Sequence, residues 1–140
     1  MDRVRPLVAA VIAAVSAGLA AAPQPAAAYS MRPADAIAYL NRDGDERLDW
    51  SEIDYAARRA FARLDRKGDG RIPFADLADR LNRRSFDAVN PDKDGTLEID
   101  EWMALVRRRF DAADQSHDGR LTRKELATPA GKALLDLLLE

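Results

Sequence analysis

The chain has 140 residues, with 22 Lys and Arg, 24 Asp and Glu, one His and no Cys, and its formal net charge is −2. This length and balance suit one small domain. The absence of cysteine excludes disulfides, a cysteine nucleophile and a thiol-linked lipid anchor, so stability must come from a small core and from any bound metal.

Residues 1–28 form the first distinct segment. A short basic start precedes an Ala-rich apolar stretch, and three alanines end the segment at Ala28. This pattern predicts a secretory signal peptide that is cleaved after Ala28, and hence a periplasmic or secreted domain over 29–140 with no membrane anchor. An uncleaved anchor is the alternative, but the apolar run is shorter than the roughly 20 residues that a spanning helix needs.

Four windows of twelve residues repeat one pattern of oxygen-bearing side chains. The windows, called loops 1 to 4 below, are 41–52, 65–76, 90–101 and 114–125, and they begin 24, 25 and 24 residues apart. Acidic, amide or hydroxyl residues stand at the first, third and fifth places with one exception, and a carboxylate stands twelfth. The eighth place is apolar in every window, as Leu48, Ile72, Leu97 and Leu121.

Calcium explains this spacing. The ion takes six to eight oxygen ligands, and a twelve-residue loop supplies them from places 1, 3, 5, 7, 9 and 12, with a backbone carbonyl at the seventh. Four acidic turns that only cap helices are the alternative, but capping does not explain the repeated apolar eighth place. The sixth place needs a positive φ, which glycine accepts without steric cost, and Gly70, Gly95 and Gly119 supply it.

On these motifs the chain resembles a four-loop EF-hand protein of the calmodulin superfamily, and more closely the small, Ala- and Arg-rich EF-hand proteins that bacteria export. The resemblance covers residues 34–128. It implies an all-α fold of four helix-loop-helix motifs in tandem, with calcium ions as the ligand. Calcium binding is therefore the expected function.

Three loops have a full set of oxygen ligands. In loop 1 these are Asn41, Asp43, Asp45, the Arg47 carbonyl, Asp49 and Glu52. In loop 3 they are Asn90, Asp92, Asp94, the Thr96 carbonyl, Glu98 and Glu101. In loop 4 they are Asp114, Ser116, Asp118, the Arg120 carbonyl, Thr122 and Glu125. Loop 3 is the most complete, loop 4 has fewer charges, and in loop 1 Glu46 replaces the sixth-place glycine at a cost on the order of 1 kcal/mol.

Loop 2 departs most from the pattern. Its remaining ligands are Asp65, Asp69, the Arg71 carbonyl and Asp76. Lys67 places a cation at the third place, Pro73 occupies the ninth, and Asp76 is a shorter closing carboxylate than glutamate. We predict that this loop is empty or binds weakly.

About 12 residues separate successive loops, enough for one helix of about 18 Å rather than two helices and a linker. The predicted helices are 34–40, 53–64, 77–89 and 102–113, so that each helix is shared between the loop it leaves and the loop it enters. Apolar residues flank every loop on one stripe, and we expect them in the core before any target contact: Ile37, Phe61, Phe86, Phe110, Ile53, Leu77, Trp102 and Leu126.

The C-terminal segment falls outside the repeat. Thr128-Pro129 should interrupt the last helix, and the Leu-rich stretch 130–140 should either close the core or form a hydrophobic docking site. We favour closure of the core.

We expect a binding protein and not an enzyme. His117 stands at the solvent-facing fourth place of loop 4, and neither a Ser-His pair at a suggestive spacing nor a glycine-rich phosphate cradle is present. A calcium sensor that regulates a partner is the first interpretation, and a calcium buffer or metal-stabilised module of the cell envelope is the alternative. The arginines between the loops should solvate helix surfaces, although an anionic envelope partner would also suit them. No nucleic acid is expected.

Overall fold

Two fifteen-residue helices frame the computed structural model, which describes residues 31–139. The helices in this range are α1 (Pro33–Leu40), α2 (Trp50–Leu64), α3 (Arg83–Asp87), α4 (Ile99–Ala113), α5 (Arg123–Leu126) and α6 (Pro129–Leu138). The strands are β1 (Leu48–Asp49), β2 (Ile72–Pro73), β3 (Thr96–Leu97) and β4 (Arg120–Leu121). The helix-rich fold agrees with the predicted all-α class, whereas the predicted signal peptide lies outside the described residues. None of the helices in 31–139 has the length and apolar character to cross a membrane.

Helices α2 and α4 are the single loop-to-loop helices that the sequence predicted, and they pack through aromatic side chains. At one end the Trp50 ring lies 5.4 Å from that of Phe110, edge to face. Towards the other end the rings of Phe61 and Trp102 are 6.4 Å apart. The buried Trp102 indole N–H donates to the Ala57 carbonyl at 2.9 Å. This bond satisfies the polar edge of a fully buried ring, so Trp102 fixes α4 against α2.

The strands form two antiparallel ladders, which pair loop 1 with loop 4 and loop 2 with loop 3. Leu48 is opposite Leu121 in one ladder, and Ile72 is opposite Leu97 in the other. All four of these eighth-place side chains are fully buried. Since α2 runs from loop 1 to loop 2 and α4 runs from loop 3 to loop 4, each ladder ties the start of one long helix to the end of the other. The two helices are therefore antiparallel, with one loop pair at each end.

The prediction of one continuous helix over 77–89 is wrong. A short 3-10 helix, Phe74–Asp76, is followed by turns, and α3 begins only after Asn82, whose side chain accepts the Ser85 N–H at 2.9 Å. Such a cap starts a new helix. A continuous helix would also carry loop 3 about 18 Å away from loop 2, whereas the ladder between β2 and β3 requires the two loops to lie side by side.

The buried core contains the predicted apolar stripe and is completed by α6. The eight flanking residues named above are at most 8% exposed. In α6, four leucines are at most 5% exposed: Leu134, Leu135, Leu137 and Leu138. The helix begins at Pro129, and the Thr128 hydroxyl accepts the Gly131 N–H at 3.1 Å. The predicted interruption at Thr128-Pro129 and the closure of the core are both confirmed.

The arginines have two kinds of partner. Three of them donate to carbonyl oxygens of α6 and its end: Arg63 to Leu138 at 2.9 Å, Arg80 to Leu139 at 2.8 Å and Arg109 to Ala133 at 2.6 Å. The first two satisfy carbonyls at the helix end that lack helical partners. Three others each form an ion pair with an aspartate four residues away in sequence: Arg58 with Asp54, Arg83 with Asp87 and Arg107 with Asp111. The second group matches the expected solvated helix faces, whereas the first holds the C-terminal helix in place.

Candidate metal centre

All four loops share one backbone turn. The sixth residue has a positive φ in each, with 62° at Glu46, 80° at Gly70, 82° at Gly95 and 80° at Gly119. The fourth residue is also left-handed, with 80° at Gly44, 66° at Gly68, 55° at Lys93 and 58° at His117. The sixth-place conformation was predicted, including the strained one at Glu46. The fourth-place conformation was missed, because no residue type is common to that place.

In loop 1, side-chain oxygens of the first, third and fifth residues turn inward onto the backbone. Asn41 Oδ1 accepts the N–H groups of Asp43 and Gly44 at 3.0 and 2.6 Å. Asp43 Oδ1 accepts the Asp45 N–H at 3.1 Å, and Asp45 Oδ1 accepts the Arg47 N–H at 2.9 Å. These oxygens are therefore held against the backbone of their own loop.

Glu52 closes loop 1 from its far end. Its Oε1 accepts the N–H groups of Arg42 and Asp43 at 2.5 and 3.3 Å, and its Oε2 accepts the Asp49 N–H at 3.1 Å. Asp49 in turn caps α2 by accepting the Glu52 N–H at 3.0 Å. The Asp49 and Glu52 pair is a capping box. The bonds to the start of the loop go beyond what a helix cap requires, and they hold this carboxylate, only 5% exposed, across the loop.

Loop 4 repeats this arrangement. The two oxygens of Asp114 accept the Asp118 and Gly119 N–H groups at 3.3 and 2.9 Å. Glu125 reaches back to the Ser116 N–H with Oε1 at 3.0 Å and holds the Thr122 N–H with Oε2 at 2.9 Å. Burial acts to raise the pKa of Glu125, but the hydrogen bonds from Thr122 and Ser116 outweigh it and hold the pKa below its usual value.

The first predicted ligand of loop 3 is more deeply buried than those of the other loops. Asn90 is 2% exposed. When its side-chain amide is oriented so that both the nitrogen and the oxygen have hydrogen-bond partners, the nitrogen donates to Asp92 Oδ1 at 2.6 Å and the oxygen accepts the Gly95 N–H at 3.3 Å. Asp94 Oδ1 accepts both the N–H and the hydroxyl of Thr96, at 2.9 and 3.0 Å. The Thr96 N–H is the main reason that the pKa of Asp94 is lowered.

The closing carboxylate of loop 3, Glu101, accepts the Glu98 N–H at 2.9 Å. Glu98 is the ninth residue and directly precedes α4. The structure thus brings the twelfth-place carboxylate to the ninth-place backbone in loops 1, 3 and 4 alike.

Loop 2 follows the pattern only in its first half. Asp65 accepts the N–H groups of Asp69 and Gly70 at 3.1 and 2.7 Å. Desolvation acts to raise the pKa of Asp65, but these and other hydrogen bonds outweigh it and lower the pKa. Asp69 Oδ1 accepts the Arg71 N–H at 3.1 Å. Asp76 lies in the short 3-10 helix, with its Oδ1 at 3.7 Å from Arg66 Nη1.

The donor chemistry of these loops fits a hard cation. Within residues 31–139, no three His, Cys, Asp or Glu side chains are already close enough together to hold an ion on their own. The predicted ligand sets, however, also include amide and hydroxyl oxygens and one backbone carbonyl per loop, which are ligands that calcium accepts. Ion binding would require Glu52, Glu101 and Glu125 to exchange N–H partners for the ion.

Helices flank loops 1 and 4 on both sides, so the chain contains helix-loop-helix units whose loops carry oxygen donors of the kind that suit a cation. Residues 107–128 match the sequence profile of the EF hand family, a stretch that contains the end of α4, loop 4 and α5. The match supports an EF-hand protein, with which the calmodulin superfamily is consistent, and it suggests calcium binding. A comparison with curated proteins finds no match.

Proposed function

We propose that the protein binds calcium through loops 1, 3 and 4, each acting as an EF-hand site, and that loop 2 is a fourth, weak or empty site. The observation that carries this proposal is the position of Glu52 and Glu125. Each carboxylate spans its loop from the N–H groups near the start to the ninth-place N–H. A bidentate carboxylate at that position is what closes a calcium loop. The bound ion would supply positive charge that offsets the acidic loop.

Calorimetric titration with calcium tests this proposal. We expect three sites in the wild type, loss of one site in each of Glu52→Gln, Glu101→Gln and Glu125→Gln, and unchanged stoichiometry in Asp76→Asn. Because loops 1 and 4 share a ladder, Glu125→Gln should also weaken loop 1 more than loop 3. No heat and no change in circular dichroism at any calcium concentration would refute the proposal.

A calcium sensor is the regulatory form of this function, and a cavity beside loop 1 supports it. The cavity has a volume of about 280 Å³, and its lining includes Tyr39, Tyr55, Glu52 and three arginines. Tyr39 and Tyr55 are 65% and 44% exposed, and Arg42 stacks on the Tyr55 ring at 4.2 Å. Tyrosine and arginine often anchor partners, and the arginine charge suits an acidic segment of a partner protein. Since Glu52 lines the cavity and also closes loop 1, a movement of its carboxylate on ion binding would change the wall of the cavity.

A calcium buffer or metal-stabilised envelope module is the second candidate, and the position of α6 favours it. The buried leucines of α6 pack on the long helices, where a target helix would otherwise bind. Sensors need a surface that opens on ion binding. Micromolar affinity with calcium-dependent changes in the amide NMR shifts around Tyr55 would favour the sensor. Millimolar affinity with no change beyond the loops would favour the buffer or module.

We also propose that the protein is exported and works in the periplasm or outside the cell, and that it has no catalytic role. The basic start, apolar stretch and alanines before Tyr29 support export. Mass spectrometry of the protein isolated from cell fractions should find an N-terminus at Tyr29 in the periplasm or the medium. Retention of residues 1–28 in cytoplasmic protein would contradict this.

A further inference from the structure

The seventh residue of loops 1 and 4 is an arginine whose side chain crosses to the paired loop. Arg47 Nη1 lies 3.8 Å from Asp118 Oδ2, and Arg120 Nη1 lies 3.5 Å from Asp45 Oδ2. The two contacts are reciprocal, because each joins the seventh place of one loop to the fifth place of the other. The ladder fixes this geometry by holding Asp49 opposite Arg120.

The other loop pair contains one such contact. Arg71, the seventh residue of loop 2, places Nη2 at 3.4 Å from Oε1 of Glu98, the ninth residue of loop 3. The seventh residue of loop 3 is Thr96, so a reciprocal arginine is missing from this pair. All three seventh-place arginines therefore reach a carboxylate that belongs to the predicted ligand set of the partner loop.

These ion pairs contribute little to folding. The six side chains are between 30% and 54% exposed, and the charged atoms are 3.4 to 3.8 Å apart. Exposed pairs of this kind are typically worth less than about 1 kcal/mol. Their effect on ion binding should be larger, because a fixed positive charge beside a predicted ligand carboxylate repels a divalent cation at that site.

We propose that Arg47, Arg71 and Arg120 set the calcium affinity of the paired loop by acting as built-in counter-charges on its ligand carboxylates. This inference rests on the proposed calcium binding. A guanidinium within about 7 Å of a divalent ion, at a partly exposed site in about 0.1 M salt, should weaken binding roughly three- to ten-fold. The calcium affinity of loop 1 is lowered by Arg120 of loop 4, and that of loop 4 by Arg47 of loop 1. The calcium affinity of loop 3 is lowered by Arg71 of loop 2.

Calorimetric titration of the full chain tests this with the double variant Arg47→Gln/Arg120→Gln. We expect the Kd values of loops 1 and 4 to fall about three- to ten-fold and that of loop 3 to stay constant. Arg71→Gln should tighten loop 3 alone. The charge-retaining variant Arg47→Lys/Arg120→Lys should stay close to wild type, because the charge and not the side-chain shape is responsible.

Arg32→Gln is the matched control, since Arg32 forms its ion pair with Asp35 at the start of α1, outside all four loops. If the double glutamine variant binds calcium with the same or lower affinity than this control, the inference is wrong while calcium binding stands. A wild-type protein that binds no calcium would instead overturn the proposed function, and the inference with it. Thermal melts of all variants in chelator should differ little, which separates an effect on affinity from an effect on folding.

Discussion

Replacing Gly131 with alanine should destabilise the protein, although alanine is the better helix former. Gly131 is the third residue of α6, and an ideal Cβ there would lie 2.3 Å from the Glu125 carbonyl oxygen and 2.5 Å from the Leu126 Cα. Both are backbone atoms of α5 that cannot rotate away. Helix propensity alone favours alanine by about 0.5–1 kcal/mol, whereas overpacking costs about 1–3 kcal/mol. We expect a net loss of about 1–2 kcal/mol in the free energy of unfolding.

Urea unfolding of the calcium-free protein, followed by circular dichroism, measures this loss as a lower midpoint at constant slope. Lys132→Ala, at the exposed neighbouring position in α6, is the control for a helical substitution without a close contact. Because α5 carries Glu125, the calcium affinity of loop 4 should fall in the Gly131 variant as well. A midpoint equal to or above that of wild type would show that α5 and α6 are not in the close contact from which the loss is derived.

Three further predictions concern a loop, the core and pH. Glu46→Gly should raise the free energy of unfolding by about 0.5–1 kcal/mol, because it relieves the left-handed φ of 62°; an unchanged melting temperature would contradict this. Trp102→Phe should lower the free energy of unfolding in urea by about 2 kcal/mol, since the indole hydrogen bond to the Ala57 carbonyl is lost and the smaller ring leaves part of a fully buried site unfilled; a loss below about 0.5 kcal/mol would refute that role. The lowered pKa values of Asp65, Asp94 and Glu125 stabilise the fold above their ordinary values of 3.8 and 4.5, and this stability should disappear as the pH falls below that range. Melts in chelator that stay constant from pH 6 to pH 3 would contradict it.

The features that could be predicted from the sequence are those fixed by local chemistry repeated several times. A carboxylate at the twelfth place and an apolar residue at the eighth occur in all four loops, and a glycine at the sixth occurs in three, and each has one structural role. The structure places Leu48, Ile72, Leu97 and Leu121 at zero exposure and gives the sixth residue a positive φ throughout. The two long helices followed from the spacing of the loops, and the break at Thr128-Pro129 followed from the proline.

The features that escaped prediction depend on contacts between distant residues. The break at Asn82 serves the ladder between loops 2 and 3, and nothing in the local spacing of 77–89 requires it. The crossing of Arg47 and Arg120 likewise depends on which loop faces which. Their shared seventh place was visible in the sequence, but the partner carboxylates could be named only once the loop pairing was known.

The loop pairing itself follows from the length of the helices. Helix α2 has 15 residues and holds loops 1 and 2 about 22 Å apart, and α4 separates loops 3 and 4 in the same way. Loops joined by a rigid helix cannot pair with each other, yet each buries an apolar eighth residue, so they must pair across two antiparallel helices. Calcium sites would then be coupled as 1 with 4 and 2 with 3, not in chain order. If loop 2 is weak as proposed, loop 3 would have the most complete ligand set but a poor partner, whereas loops 1 and 4 would bind their ions together.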